Sequence, residues 1–177
     1  MKVVTDLEHL FDCAVYILVI GLLSHVVGEA LPRGGIDYTR VPFKPFSWEK
    51  SGAVYNALHV RQWKDHVPDM SRVSKKMVSK KLSAVTRLEE MERLIKETCV
   101  AEIIHVSLAV LSLMCIVIWP GAGGVIVSIL CVLGNGVFII IQRYNRPKLV
   151  KVYERLRRGE HLRMEPEKID TECEHKV

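Results

Sequence analysis

The sequence predicts an all-α integral membrane protein with about three transmembrane helices plus amphipathic interfacial helices. Three observations predict it. First, 49% of the 177 residues are hydrophobic and 25% are charged, with a mean hydropathy of +0.17; a soluble domain combines these only if the two classes are segregated. Second, they are segregated. The stretches 11–31, 101–119 and 123–141 make up a third of the chain and hold few ionisable side chains, and about 20 apolar residues suffice for a helix to cross a hydrocarbon core of about 30 Å. Third, Lys and Arg gather between these stretches. Residues 32–100 carry 14 Lys/Arg against 8 Asp/Glu, and residues 142–177 carry 10 against 7. The turn Pro120-Gly121-Ala122 carries none. The positive-inside rule puts the 32–100 loop and the C-terminus on the cytoplasmic side and the N-terminus outside. This pattern excludes a simple soluble globule and a mainly disordered chain.

The first span, 11–31, follows a weak basic region in which Lys2 is opposed by Asp6 and Glu8, and it lacks an A-x-A site; it reads as an uncleaved anchor. Leu31-Pro32-Arg33-Gly34-Gly35 stops that helix. Val41 to Lys50 interleaves two prolines and three aromatics with lysines, which suits an extended segment at the membrane interface. Ser47 is a candidate cap for a helix from Trp48 that carries Tyr55, Leu58 and Gln62 on one face and ends near 63–69. Residues 71–81 form a basic, Ser-rich loop or headgroup-facing edge.

From Leu82 apolar residues recur at spacings of three and four (Leu82, Val85, Leu88, Met91, Ile95), an amphipathic helix. It either lies on the membrane surface or runs straight into the second span, 101–119. The third span, 123–141, ends at Gln142-Arg143-Tyr144-Asn145-Arg146-Pro147. Pro147 suits the first turn of a new helix, with Leu149, Val152, Tyr153 and Leu156 as its apolar stripe. Residues 1–160 thus form one membrane domain, and 161–177 form a charged tail whose composition predicts disorder. The five cysteines make no C-x-x-C pair and read as small apolar fillers.

The basic excess suits anionic lipid headgroups; no stacking-aromatic or groove-helix pattern accompanies it, so no nucleic-acid partner is expected. No G-x-S-x-G, P-loop, dinucleotide fingerprint or H-E-x-x-H occurs, which disfavours hydrolase-elbow, P-loop, dinucleotide and zincin chemistry. Glu102 and His105 break the apolar pattern of the second span. Three residues apart, they project from one helix face with Thr98. A polar group at such depth faces a partner or a polar cavity. Two readings stand. The carboxylate holds the imidazole as a general base for a hydroxyl, or both form a structural clamp between helices with Asn135 or Ser107. A di-iron bundle needs a second E-x-x-H in a span, and none occurs, so no metal is expected.

Trp63, Lys64, Asp65, His66 and Asp69 form a second cluster, either a charged turn anchored at the interface or groups that contact a polar substrate. Arg143, Asn145, Arg146 and Lys148 form a third at the mouth of the third span. They are snorkelling anchors, or two guanidiniums that clamp phosphate or carboxylate.

Four blocks carry a family resemblance from about Pro32 to Glu160. They are Pro42-Phe43-x-x-Phe46-x-Trp48-Glu49-Lys50-x-Gly52, Val60-Arg61-x-Trp63-Lys64, Glu97-Thr98-x-x-Ala101-Glu102-x-x-His105, and Gln142-Arg143-Tyr144-Asn145-Arg146-Pro147-x-Leu149. The chain resembles the glycosyl-4,4'-diaponeurosporenoate acyltransferase family, which transfers a fatty acyl group to a sugar hydroxyl of a glycosylated carotenoid acid in staphyloxanthin synthesis. Val100 and Val106 stand where a family member has Arg and Trp.

The resemblance implies a membrane O-acyltransferase acting on a hydroxyl, that of a sugar, on a membrane glycolipid or glycosylated isoprenoid. The donor is an acyl thioester, acyl-CoA or acyl carrier protein, as co-substrate with no cofactor. His105 and Glu102 are the catalytic candidates; Trp63, Lys64, Asp65, Glu97, Arg143, Asn145 and Arg146 are the substrate-binding ones. The rival reading is a non-enzymatic lipid-binding or assembly protein. A three-span chain can form a homo-oligomer to enclose a site, but Gly134-x-Gly136 is not the G-x-x-x-G spacing that argues for one.

Overall fold

The computed structural model describes residues 2–64 and 84–174, with side chains over 4–49, 54–64 and 88–159. The described chain is helical throughout its ordered elements. In order they are α1 (Lys2–Ala30), α2 (Ala53–Ala57), α3 (Val60–Trp63), α4 (Ala84–Leu111), α5 (Cys115–Ile118) and α6 (Ala122–Glu174), with short 3₁₀ turns at Arg33–Gly35, Ser47–Gly52 and Ser112–Met114. Three helical stretches are long and apolar enough to cross a membrane: Val4–Ala30, Leu88–Ile118 and Ala122–Gly159. That is the pattern of a multi-pass membrane protein.

The elements differ from the sequence reading in three places. α1 starts well before Phe11, since no proline or glycine interrupts the chain until Gly21. The helix expected from Trp48 is instead a 3₁₀ turn followed by α2 and α3. His59 takes the left-handed conformation (φ 51°) between them, and an L-residue there cannot continue a helix. The break rotates the chain so that Val60 is fully buried while Leu58 is 51% exposed. Of the two courses open to the amphipathic stretch, the structure takes the second, since it runs straight into the second span as one helix, α4. Finally, α6 passes through Pro147 without restarting and its backbone stays helical to Glu174, past Gly159, where composition predicts disorder. A mid-helix proline costs about 3 kcal/mol; Tyr144 and Arg146 beside it, both 2% exposed, hold the helix against that cost. The basic loop 71–81, Leu82, His66 and Asp69 lie outside the described residues.

The chain divides into two units, Met1–Lys44 with Glu97–Arg143 and Pro45–Lys96 with Tyr144–Val177. In the first, Cys13, Ile20, Cys99, Val100, Cys115 and Ile141 are buried, three of them cysteines that pack as small apolar side chains. Gly28 lets α1 approach α4, because a Cβ there would already touch Ile104 at 3.5 Å. The 3₁₀ turn after α4 frees main-chain carbonyls for side chains. Tyr16 Oη donates to the Leu111 carbonyl at 3.0 Å, and Ser128 Oγ donates to the Ser112 carbonyl at 3.0 Å. These bonds tie α1 and α6 to the α4 terminus, where helix ends leave acceptors unfilled.

The α5–α6 connection is tighter still. Gly121 has φ +111°, which favours glycine. A Cβ on Gly124 would lie 2.3 Å from the carbonyl oxygens of both Cys115 and Trp119. Outside this core the unit shows large apolar side chains, such as Leu7, Phe11, Leu18, Leu130 and Leu133, each more than 60% exposed. In water such a surface aggregates; against lipid tails it needs no covering.

In the second unit Tyr55, Val60, Met91, Leu94, Ile95 and Tyr144 are buried. Met91 and Ile95 belong to the stripe read from the sequence. Tyr55 Oη donates to Glu49 Oε1 at 3.0 Å, and Glu49 is only 1% exposed, so a buried carboxylate has at least one hydrogen-bond donor.

Candidate functional site

The polar residues of the first unit are held by α4, α6 and the loop after α1. Glu102 sits one turn before His105 on α4, 7% exposed. One partner is on α6: Arg143, 9% exposed, donates to Glu102 Oε1 through Nη1. Arg143 also donates to the Pro42 carbonyl at 3.1 Å and to the Lys44 carbonyl at 3.5 Å. One guanidinium therefore joins α4, α6 and the Pro42–Lys44 loop. A buried pair of this kind tolerates desolvation only because further bonds surround it, and the two main-chain carbonyls supply them.

His105 is bonded elsewhere. Its Nδ1 lies 2.9 Å from Asn135 Oδ1 on α6, and Asn135 Nδ2 donates to the Cys131 carbonyl at 2.9 Å. The imidazole stacks on Phe138, with ring centroids 4.5 Å apart and planes 4° from parallel. The ring is half-buried. Among the described residues no group bonds to Nε2. Of the two partners weighed from the sequence, the structure pairs His105 with Asn135, while Ser107 is exposed. Glu102 and His105 share a face of α4, yet Glu102 meets Arg143 and His105 meets Asn135.

Glu97, one turn and a half before Glu102, receives Arg33 in a two-pronged pair, Nε to Oε1 at 3.0 Å and Nη2 to Oε2 at 3.1 Å. Arg33 Nη1 also donates to the carbonyls of Glu29 and Leu31, which anchors the chain as it leaves α1. The Glu97 carboxylate raises the Arg33 pKa above its ordinary value. In the same loop the Thr39 hydroxyl and then its amide, both bonded to Asp37 Oδ1, hold the Asp37 carboxyl below the usual range.

In the second unit, Lys64 Nζ lies 3.4 Å from Asn145 Oδ1 and 5.8 Å from the Tyr144 ring centroid. Lys148 Nζ lies 3.2 Å from the same centroid. The buried Tyr144 ring thus gathers two ammonium groups by cation–π attraction, in a unit that also buries Arg146. Trp63 Nε1 donates to the Leu58 carbonyl at 3.0 Å, an acceptor just past the end of α2. Asp65 lies outside the described residues. No three His, Cys, Asp or Glu side chains gather as metal ligands among the described residues.

Sequence reading placed Glu102 and His105 on one face and offered Asn135 or Ser107 as clamp partners, but it did not pair Glu102 with Arg143. Arg33 with Glu97, Phe138 under His105, and Lys148 over Tyr144 went unread. Lys148 and Tyr144 stand four apart on a helix, a spacing that carries a signal; the other two contacts join distant parts of the chain and carry none.

Comparison with known proteins adds identity to this geometry. Two curated relatives, glycosyl-4,4'-diaponeurosporenoate acyltransferases of Staphylococcus aureus strains MRSA252 and N315, are each 30% identical over 155 residues, covering 85% of this chain and 92% of the relative. No solved structure matches. The sequence profile of the same family matches residues 39–155, a stretch that contains Glu102, His105, Asn135 and Arg143 and all four sequence blocks. The chain belongs to the glycosyl-4,4'-diaponeurosporenoate acyltransferase family.

Proposed function

We propose that this protein is a membrane O-acyltransferase that moves a fatty acyl group from an acyl thioester to a sugar hydroxyl of a glycosylated membrane isoprenoid. Family membership supports the reaction class, and the relatives' name supports a glycosylated carotenoid acid as the acceptor. The observation that carries the site assignment is His105. An imidazole nitrogen without a partner in an apolar span is costly. A substrate hydroxyl would satisfy it, and the same contact is where general-base catalysis begins.

In this reading the Nε2 lone pair takes the hydroxyl proton as the sugar oxygen attacks the thioester carbonyl. The C–O bond forms, the C–S bond breaks, and the proton passes to the departing thiolate. Glu102 and Arg143 act as a frame that holds α4, α6 and the Pro42–Lys44 loop together, and Arg143 places positive charge by that loop. Within the second unit, Lys64 and Lys148 beside Tyr144, with Arg146, suit an anionic group. No cofactor takes part. The Lys/Arg excess of residues 32–100 and 142–177 supports an orientation with both segments in the cytoplasm, where thioester donors are made, and the N-terminus outside.

The test uses membranes containing the full chain, palmitoyl-CoA as donor and glycosyl-4,4'-diaponeurosporenoate as acceptor, with acylated product read by mass spectrometry. His105→Ala is expected to lower kcat by about 10²–10⁴-fold, the usual worth of a general base. A His105→Ala protein present in the membrane at wild-type level with undiminished kcat would remove the assignment.

A further inference from the structure

The orientation of one amide decides which His105 nitrogen carries the proton. The Cys131 carbonyl is an acceptor only, so the Asn135 atom 2.9 Å from it is the amide nitrogen. The opposite orientation would set two oxygens against each other and leave both amide hydrogens on the imidazole side. With Nδ2 committed to Cys131, Asn135 presents its carbonyl oxygen to His105 Nδ1 at 2.9 Å. A carbonyl oxygen only accepts, so Nδ1 must be the donor. The neutral ring has a single N–H; with that hydrogen on Nδ1, the lone pair is on Nε2. Phe138, nearly parallel to the ring at 4.5 Å, opposes the ring flip that would put Cδ2 in place of Nδ1 and break the bond to Asn135.

We infer that Asn135 is a positioning residue that locks the His105 imidazole in its Nδ1–H tautomer, leaving Nε2 as the basic nitrogen. The chain Cys131 carbonyl, Asn135 amide, His105 ring is a relay of single-direction hydrogen bonds within the first unit. Its start is main chain, which no rotamer change can reverse. An orienting partner of this kind is what a catalytic histidine needs, because a ring in the wrong tautomer offers a proton where it should accept one. Asn135, and not the sequence-adjacent Glu102, does this to His105. The catalytic consequence rests on the general-base role proposed above; the tautomer itself does not.

Two measurements test it on the full chain in detergent micelles. The first is ¹⁵N NMR of histidine-labelled protein, with His105 assigned by difference against His105→Ala. Wild type is expected to show a protonated Nδ1 and an unprotonated Nε2, Asn135→Ala a mixture of tautomers, and Asn135→Asp, which keeps an acceptor oxygen, the wild-type pattern. The second is kinetics with palmitoyl-CoA and glycosyl-4,4'-diaponeurosporenoate. Asn135→Ala is expected to lower kcat by about 10²-fold, at the low end of a general-base contribution, with KM changed by less than about threefold. Asn135→Asp is expected to recover most of the loss, which a cavity or packing defect would not allow.

A wild-type ring protonated on Nε2, or an Asn135→Ala ring that stays protonated on Nδ1 alone, overturns the inference whatever the turnover. If the tautomer follows Asn135 while His105→Ala retains full kcat, the positioning stands and the general-base reading fails.

Discussion

The Glu102–Arg143 pair offers the sharpest test of how this bundle is held, because its two members are on different helices and both are nearly fully buried. Consider Glu102→Leu, which removes the carboxylate and leaves the guanidinium. Opposite charges with centres about 4 Å apart attract by about 4 kcal/mol at an effective dielectric of about 20, and stripping one partner from a buried pair costs about 3–5 kcal/mol because the other charge is stranded. The expected loss is about 3–4 kcal/mol. Arg143→Met should cost as much, since it takes the guanidinium from Glu102 and also empties the carbonyls of Pro42 and Lys44. The double variant strands neither charge, so the losses should not add; a coupling energy of about 2–4 kcal/mol is expected, in the upper range for residues in contact.

Equilibrium unfolding in mixed micelles, followed by tryptophan fluorescence, reads these values. The control is the cycle of Glu102→Leu with His105→Ala. If Glu102 acted mainly on its neighbour His105, that cycle would show the larger coupling. An Arg143 coupling below about 0.5 kcal/mol, or below that with His105, would refute the geometry argued here.

Two further perturbations follow from the packing. Gly124→Ala places a methyl 2.3 Å from two main-chain oxygens, so the α5–α6 turn must open by several tenths of an ångström; overpacking of this kind costs about 1–3 kcal/mol, read as a lowered unfolding midpoint, while Gly134→Ala, with open space around it, should be neutral within error. Tyr16→Phe removes the bond to the Leu111 carbonyl but keeps the ring; a loss of about 0.5–1.5 kcal/mol is expected in the same assay, and no loss would mean that water or lipid headgroups fill that carbonyl equally well.

Helix class and span count were legible because they depend on short-range properties. Apolar run length decides whether a segment can cross a membrane, and α1, α4 and α6 contain the three predicted runs. Periodicity placed Met91 and Ile95 on the buried face of α4 for the same reason. Helix ends were less legible. His59, left-handed between α2 and α3, and Pro147, inside α6, both went against local rules. Local propensity is a few kcal/mol at most, and burial of Val60 in one case and of Tyr144 and Arg146 in the other outweighs it.

The sequence by itself determined that Glu102, His105 and Arg143 are exceptions to an apolar pattern, and hence that they need partners. It could not determine which partners. Glu102 has a histidine three residues away, yet its carboxylate is bonded to an arginine 41 positions along the chain; His105 is bonded to an asparagine 30 positions along, between two glycines. Side-chain pairing across helices depends on their rotation and register, which are set by the summed packing of Cys13, Cys99, Cys115 and Ile141 and by the close approach at Gly28. Those quantities belong to the assembled bundle and have no local signature, so the sequence offered Asn135 only alongside Ser107, and the tertiary structure decided between them.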